Sequence, residues 1–251
     1  MSSADLDWAF SNIPLLAGYA PQDFTIAPMP GYTNRNYRLS NPDHDWVLRL
    51  PRAATDRFID RAAEAHNQTL AHELGLAPQV LWRDTSGITL TPTLRQSRSL
   101  RAADFDDETL LPLIVEPLQR LHRSGLEFRG RDPLGELLSQ HYELLNAAER
   151  LRYGPRMQQA QRVLSLLDSD ETPWVASHRD LVMGNLLLAN RRLWIIDWEY
   201  AAMASPYWDL ATLCNEAGLD LQQSRRLLHA YCADGPAMKE SILFDYRGLL
   251  K

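Results

Sequence analysis

Residues 178–185 read His-Arg-Asp-Leu-Val-Met-Gly-Asn, and residues 193–197 read Leu-Trp-Ile-Ile-Asp. The first stretch carries a carboxylate, Asp180, and a carboxamide, Asn185, and the second ends an apolar run on another carboxylate, Asp197. Carboxylate and amide oxygens are the ligands that Mg²⁺ prefers in proteins. The two stretches therefore predict a site at which two carboxylates and one amide oxygen come together around Mg²⁺.

The segment between the two stretches predicts how they come together. Residues 186–189 and 193–196 are apolar and are separated by Asn-Arg-Arg at 190–192. This pattern favours two short strands joined by a tight turn. Such a hairpin returns Asp197 to the neighbourhood of Asn185 without help from distant sequence.

The spacing H-x-D-x-x-x-x-N followed by a strand-terminal Asp is that of the catalytic loop and metal-binding Asp of kinases. In this interpretation Asp180 accepts the proton of an acceptor hydroxyl, and Asn185 and Asp197 hold the Mg²⁺ that screens the triphosphate of ATP. The alternative is a polar loop whose Asp and Asn satisfy their own backbone. The hairpin context favours the catalytic interpretation.

Composition limits the class of protein. The chain has 251 residues, 45% of them hydrophobic and 23% charged, as in an ordinary globular protein. No apolar run approaches the roughly 20 residues of a membrane span, and the first residues lack a basic signal-like start, so we expect a cytoplasmic protein with no membrane partner. The net charge of −6 argues against nucleic acid as a partner. Cys214 and Cys232 lack zinc-site spacing and are predicted to be buried thiols. The oligomeric state stays open.

The order of predicted elements gives the fold class, α+β with two lobes. The predicted strands lie at 23–29, 36–39 and 45–50, followed by a hairpin at 79–83 and 88–94. The predicted helices begin at Asp56 over about 18 residues, at 107–124, 133–152 and 155–168, and after Pro206 to the end. We expect a small β-rich lobe with one main helix at 1–95. A larger helical lobe at 96–251 would carry the catalytic loop and the acceptor site.

Arg49 lies in the middle of a predicted strand, Val-Leu-Arg-Leu at 47–50. A charge on a sheet face is costly unless it is paired, and the helix that follows offers Glu64 as a partner. This pair would aim the guanidinium at nucleotide phosphates. The alternative is an exposed Arg49, with Glu64 paired locally to Arg61 or Arg57. The Asp180 cluster favours the first interpretation. The turn-rich break at Gly31 lies between two predicted strands, so its backbone amides could cover phosphates; the alternative is that Pro30-Gly31 is only a turn.

These residues resemble the choline/ethanolamine and thiamine kinases of the aminoglycoside phosphotransferase superfamily, which have a protein-kinase-like fold. Gly-Tyr-Thr-Asn-Arg-Asn-Tyr-Arg-Leu at 31–39 is similar to their small-lobe loop, and Val-Leu-Arg-Leu-Pro at 47–51 to the strand that carries Arg in place of Lys. Ile-Asp-Trp-Glu-Tyr at 196–200 and Pro-Tyr-Trp-Asp-Leu at 206–210 resemble their metal-binding segment and the segment after it. The resemblance covers nearly the whole chain.

The resemblance implies an ATP- and Mg²⁺-dependent kinase of a small hydroxylated metabolite. It implies roles as follows: Asp180 as base, His178 orienting the loop without transferring protons, Asn185 and Asp197 as metal ligands, and Gly31, Thr33, Asn34, Asn36, Arg49 and Glu64 at the nucleotide. Asp209 is expected to anchor the loop to a helix through hydrogen bonds. Glu199, Trp198 and Trp208 are candidates for contact with the acceptor.

The acceptor itself is the least determined part. Choline and thiamine carry a fixed positive charge, which aromatic faces and carboxylates can hold, but the aromatic residues after Asp197 are more often core residues. Relatives generally continue beyond the helical stretch in which this sequence ends at Lys251, and the further helices contribute aromatic residues to the pocket. We expect a choline-like acceptor first and thiamine second. The alternatives are an aminoglycoside or sugar kinase and a catalytically silent nucleotide-binding module.

Overall fold

The computed structural model describes residues 3–31, 33–52, 59–131, 138–139, 142–167, 171–233, 235 and 238–250. A β-sheet forms the N-terminal region and helices dominate the remainder, so the predicted α+β class is confirmed. The division into lobes at residues 95 and 96 stays a prediction. Within the described residues, no helix is both long enough and apolar enough to cross a membrane.

Five antiparallel strands form the N-terminal sheet in the order β1-β2-β3-β5-β4. The strands are β1 Thr25–Met29, β2 Asn34–Ser40, β3 Asp45–Pro51, β4 Trp82–Arg83 and β5 Thr89–Pro92. Side chains alternate across β3 as predicted, because Leu48 and Leu50 are buried while Arg49 lies on the other face. Helix α1, Ser3–Asn12, packs on the Leu48 face through a core cluster that includes Leu6 and Phe10.

Helix α2, Arg61–Glu73, follows β3. It begins where the side chain of Asp60 accepts hydrogen bonds from the backbone amides of Ala62 and Ala63, both at 3.0 Å. The predicted start at Asp56 lies outside the described residues, and residues 59 and 60 are not helical. The helix therefore begins later than predicted, because the capping carboxylate is that of Asp60.

The rest of the chain is helical around a few short strands. A hairpin lies between residues 185 and 197, and two further strands, one directly before residue 178 and one after residue 197, pair antiparallel with each other. These elements are β6 Arg98–Ser99, α3 Leu111–His122, α4 Ala147–Leu167, β7 Val175–Ser177, β8 Leu186–Ala189, β9 Arg192–Ile195, β10 Ala202–Ala204, α5 Pro206–Glu216, α6 Leu221–Cys232 and α7 Glu240–Leu249. β8 pairs with β9 and with β6, and β7 pairs with β10.

The predicted hairpin is confirmed to within one residue at its second strand. The helices predicted at 133–152 and 155–168 were divided wrongly where the structure describes them, since α4 runs through Pro155 without a break. Part of the 133–152 prediction lies outside the described residues. A second core cluster fills this part of the molecule and includes Leu118, Leu210 and Leu243.

Asp209, in the first turns of α5, is 0% exposed and lies beneath residues 178 and 179. Its carboxylate accepts hydrogen bonds from the backbone amides of His178 at 2.8 Å and Arg179 at 2.6 Å. It also accepts one from Nε2 of His122 at 3.0 Å, and Nδ1 of His122 lies 2.7 Å from the hydroxyl of Tyr231. Burial alone would raise the pKa of Asp209, but these hydrogen bonds outweigh burial and hold the pKa below its usual value.

We expect Asp209→Asn to lower the free energy of unfolding by about 3 kcal/mol. A carboxamide has one acceptor oxygen and presents its own N–H groups to the remaining donors. Urea denaturation of both proteins measures the difference. Since the folded-state pKa of Asp209 is lowered, its stabilisation is present above the unfolded-state pKa, and the difference should shrink as the pH falls through the folded-state value.

The control is Asp220→Asn at the exposed N-cap of α6, where Asp220 accepts from the amide of Gln223 at 2.8 Å. Asn caps helices about as well as Asp, so we expect a change below about 0.5 kcal/mol. Equal losses in the two variants would contradict the anchoring role of Asp209.

Candidate active site

His178 is fully buried and is fixed within the catalytic loop by both ring nitrogens. Nε2 lies 3.0 Å from the carbonyl oxygen of Ile196, which can only accept, so Nε2 carries the proton. Nδ1 accepts from the backbone amide of Asp180 at 3.3 Å. Burial lowers the pKa of His178, in agreement with this neutral form. The ring therefore orients the loop and has no free nitrogen for proton transfer.

Asn185 connects the loop to the hairpin. Its Nδ2 donates to the carbonyl of Asp180 at 2.9 Å and to Oδ2 of the same residue at 3.0 Å. The backbone carbonyl of Asn185 accepts a hydrogen bond from the backbone amide of Ile196 at 3.0 Å. Ile196 is thus bonded through its N–H to Asn185 and through its C=O to His178, and it places Asp197 beside the loop. The carboxamide orientation leaves Oδ1 of Asn185 as the atom available to a ligand.

Asp180 and Asp197 are two partly shielded carboxylates in a crowded acidic region. Burial raises the pKa of Asp180 above its usual value. Burial, with the charge of Glu199 adding to it, raises the pKa of Asp197 to about 7. Asp197 also adopts a left-handed backbone conformation with φ of 65°, which is uncommon for a residue with a side chain. Both carboxylates are therefore harder to ionise than an exposed aspartate.

Arg49 projects from β3 toward this acidic region. Its Nη2 bonds Oε1 of Glu64 and, at 3.0 Å, the carbonyl of Gly87, while its Nη1 lies 3.4 Å from Oδ1 of Asp197. Glu64 also pairs through Oε2 with Arg61 at 2.7 Å. Glu64 therefore pairs with Arg49 and with Arg61 at once, whereas Arg57 lies outside the described residues. Within the described part of the chain, the buried Nε of Arg49 has no hydrogen-bond partner.

The turn before β2 approaches the same region from the sheet. A Cβ on Gly31 would lie 2.5 Å from the carbonyl oxygen of Asn34, so the turn requires glycine. Asn34 donates from Nδ2 to Oγ1 of Thr33 at 3.0 Å and to Oε2 of Glu199 at 3.1 Å. Asn36 instead donates to the carbonyl of Pro30 at 3.1 Å and stabilises the turn. Nucleotide contact by these four residues stays a prediction.

The three acceptor candidates lie in different surroundings. Trp198 is 0% exposed, donates from its indole N–H to the carbonyl of Ile195 at 3.0 Å and packs on His178. Trp208 is nearly buried, with its indole N–H 2.9 Å from the carbonyl of Arg179. The acceptor assignment of Trp198 is therefore corrected, because a fully enclosed ring cannot touch an acceptor. Glu199 faces Asn34 and, at 3.5 Å, Arg61.

Tyr200 is the residue of this aromatic group that reaches the surface. It is 36% exposed, and burial together with the charges of Glu199, Asp180 and Asp197 raises the pKa of its hydroxyl. The phenol is thus partly exposed and lies within electrostatic reach of the acidic region. The sequence could not separate Tyr200 from its buried neighbours, because all of them share one aromatic-rich stretch.

The donor set suits Mg²⁺. Asn185 and Asp197 offer only oxygen atoms, and no group of three or more His, Cys, Asp or Glu side chains within the described residues could hold a metal by itself. Mg²⁺ in nucleotide sites takes one or two protein oxygens and completes its shell with phosphate and water. A divalent cation would also offset the charge that raises the pKa of Asp197.

Comparison with known proteins gives the family. The model of the phosphotransferase enzyme family matches residues 25–241. Protein LicA of one Haemophilus influenzae strain is 33% identical over 204 residues, which cover 80% of this chain and 76% of that protein. Another LicA from this species is 32% identical over 206 residues, but these cover only 61% of its length.

Two solved structures share the fold. A choline/ethanolamine kinase family protein from Mesorhizobium loti is 28% identical, with a TM-score of 0.82 over 100% of this chain and 83% of that chain. Choline kinase LicA from Streptococcus pneumoniae is 24% identical, with a TM-score of 0.84 over 98% of this chain and 85% of that chain. The chain therefore belongs to the phosphotransferase enzyme family.

Proposed function

We propose that this protein is an ATP-dependent kinase that transfers the γ-phosphoryl group to the hydroxyl of a small, choline-like molecule. The observation that carries the proposal is the meeting of Asp180, Asn185 and Asp197, which are joined through Ile196 and His178. Three neighbouring oxygen-bearing side chains are what phosphoryl transfer requires for a base and a metal. Membership of a phosphotransferase family supports the same activity.

Each group has a defined task in this proposal. Asp180 accepts the proton of the acceptor hydroxyl, and burial suits it to this task by raising its pKa toward neutrality. Arg49, already held by Glu64, turns its guanidinium to the phosphate oxygens. Asn185 and Asp197 would hold Mg²⁺. When bound, this ion screens the triphosphate and neutralises charge that develops during transfer.

A nucleotide co-substrate is supported by one further comparison. A LicA structure that is 24% identical to this chain, with a TM-score of 0.81, was solved in complex with AMP. The turn that contains Gly31 lies at the end of the sheet from which Asn34 reaches Glu199. In our proposal this turn covers the phosphates, with Thr33 and Asn34 at its contact edge.

The acceptor is proposed from charge and from the names of relatives. The LicA proteins of Haemophilus influenzae share their name with the choline kinase of Streptococcus pneumoniae. Tyr200 is partly exposed, and its hydroxyl feels the charges of Glu199 and Asp180; in our proposal this aromatic ring and these carboxylates attract an organic cation. A neutral sugar would gain little from this negative field.

Purified protein with MgATP and a panel of alcohols tests the function directly. We expect phosphorylated choline, or a phosphorylated close analogue, as the main product detected by mass spectrometry. Thiamine, ethanolamine, sugars and aminoglycosides should give less product. Preference for an aminoglycoside or a sugar would replace our acceptor assignment. A thermal shift with MgATP, but no transfer to any acceptor, would favour the silent nucleotide-binding module.

Asp180→Asn should lower turnover by about 10²–10⁴, the usual range for removal of a general base. The amide oxygen can still accept the hydrogen bond from Nδ2 of Asn185, so the loop should keep its shape. Steady-state kinetics, with calorimetric measurement of MgATP binding as the control, separates chemistry from folding. An unimpaired rate with normal binding would reject Asp180 as the base.

Asp197→Ala should abolish magnesium-dependent binding of ATP, because it removes the carboxylate ligand and one ion-pair partner of Arg49. Titration of Mg²⁺ against ATP affinity and turnover measures the effect. Asp43→Ala, in an exposed turn of the sheet, is the control and should leave both curves unchanged. Wild-type metal dependence in the Asp197 variant would remove this residue from the metal site.

A further inference from the structure

Asn67 on α2 is a buried carboxamide that the proposed mechanism does not use. It is 0% exposed and makes three hydrogen bonds to backbone groups far along the chain. Nδ2 donates to the carbonyls of Arg129 at 3.0 Å and Ala201 at 2.7 Å, and Oδ1 accepts from the amide of Arg129 at 2.8 Å. Two donors and one acceptor are thus all engaged, which no other side chain of this size can reproduce.

The bond to Ala201 lies close to the reacting groups on both elements. Asn67 follows Glu64 by three residues, about one helical turn, and Ala201 follows Glu199 by two. Arg61, three residues before Glu64, connects the same two segments, since its Nη1 lies 2.7 Å from Oε2 of Glu64 and 3.5 Å from Oε2 of Glu199. Helix α2 and the segment after Asp197 are therefore connected by two contacts, one through Asn67 and one through Arg61.

The pairing of β10 with β7 connects this segment to the loop that begins at His178. Ala201 is followed directly by β10, and Ala202 in β10 pairs with Ser177 in β7, the residue before His178. On its other side β10 is bonded to residue 130, whose carbonyl accepts from the amide of Met203 at 3.0 Å. Asn67 thus fixes α2 to a small sheet whose two strands lead into and out of the acidic region.

We propose that Asn67 is a positioning residue, which sets the separation of Glu64, and with it Arg49, from Asp197 and the catalytic loop. The helix that orients the phosphate-binding arginine is by this means fixed to the metal-binding segment. The expected loss of turnover rests on the proposed function. The attachment of α2 to the segment after Asp197 rests on the structure alone.

The test compares Asn67→Ala and Asn67→Asp with Leu243→Ala. Leu243 is fully buried in α7, so its truncation destabilises the protein without changing hydrogen bonds at the cleft. At a temperature at which all variants are folded, we expect both Asn67 variants to lose about 10- to 100-fold in kcat with a smaller change in the KM for ATP. Equal kcat values for the Asn67 and Leu243 variants would overturn the proposal.

Hydrogen exchange gives a readout that does not depend on catalysis. In Asn67→Ala, amides of residue 129 and of residues 175–178 and 201–204 should exchange more than about tenfold faster than in Leu243→Ala. Unchanged exchange there would refute the mechanical coupling. A wild-type protein that transfers nothing would instead contradict the proposed function, and exchange would still decide whether Asn67 holds the segment.

Discussion

The carboxylate of Asp209 is buried beneath the catalytic loop, where a charge persists only because donors surround it. Two of these donors are consecutive backbone amides, and Arg179, which supplies one, has a left-handed φ of 69°. The carboxylate therefore stabilises a turn that its residues would not adopt alone. Because His178 and Asp180 extend directly from this turn, the geometry of the cleft depends on a group that lies outside it.

Beside the loop, carboxylates and guanidinium groups form a network of ion pairs. Glu64 pairs with both Arg49 and Arg61, Asp197 lies 3.4 Å from Arg49, and Glu199 lies 3.5 Å from Arg61. Burial, with the charge of Glu199 adding to it, raises the pKa of Asp197 to about 7. A metal ion with a triphosphate would bring both further positive charge for the carboxylates and phosphate oxygens for the arginines. In the proposed function, these charged groups therefore serve to bind a metal–nucleotide complex.

Local patterns predicted much of this arrangement, and long-range contacts account for what they missed. The hairpin at 186–195 and the alternation around Arg49 follow from neighbouring residues, so sequence suffices for them. Asn67 could not be found in this way, because its partners lie 62 and 134 residues away. Its signal is a polar residue on the buried face of an amphipathic helix. Trp198 was misjudged because sequence shows an aromatic residue next to Asp197 but not the direction of its ring.

We propose that Asn185 and Asp197 share one divalent ion with a bound triphosphate. A crystal structure with Mn²⁺ and a non-hydrolysable ATP analogue is the decisive experiment, since anomalous scattering locates Mn²⁺ without ambiguity. We expect a peak bonded to Oδ1 of Asn185, to the carboxylate of Asp197 and to phosphate oxygens, at roughly 2.0–2.3 Å. A peak held by phosphates alone, or one remote from both side chains, would contradict it.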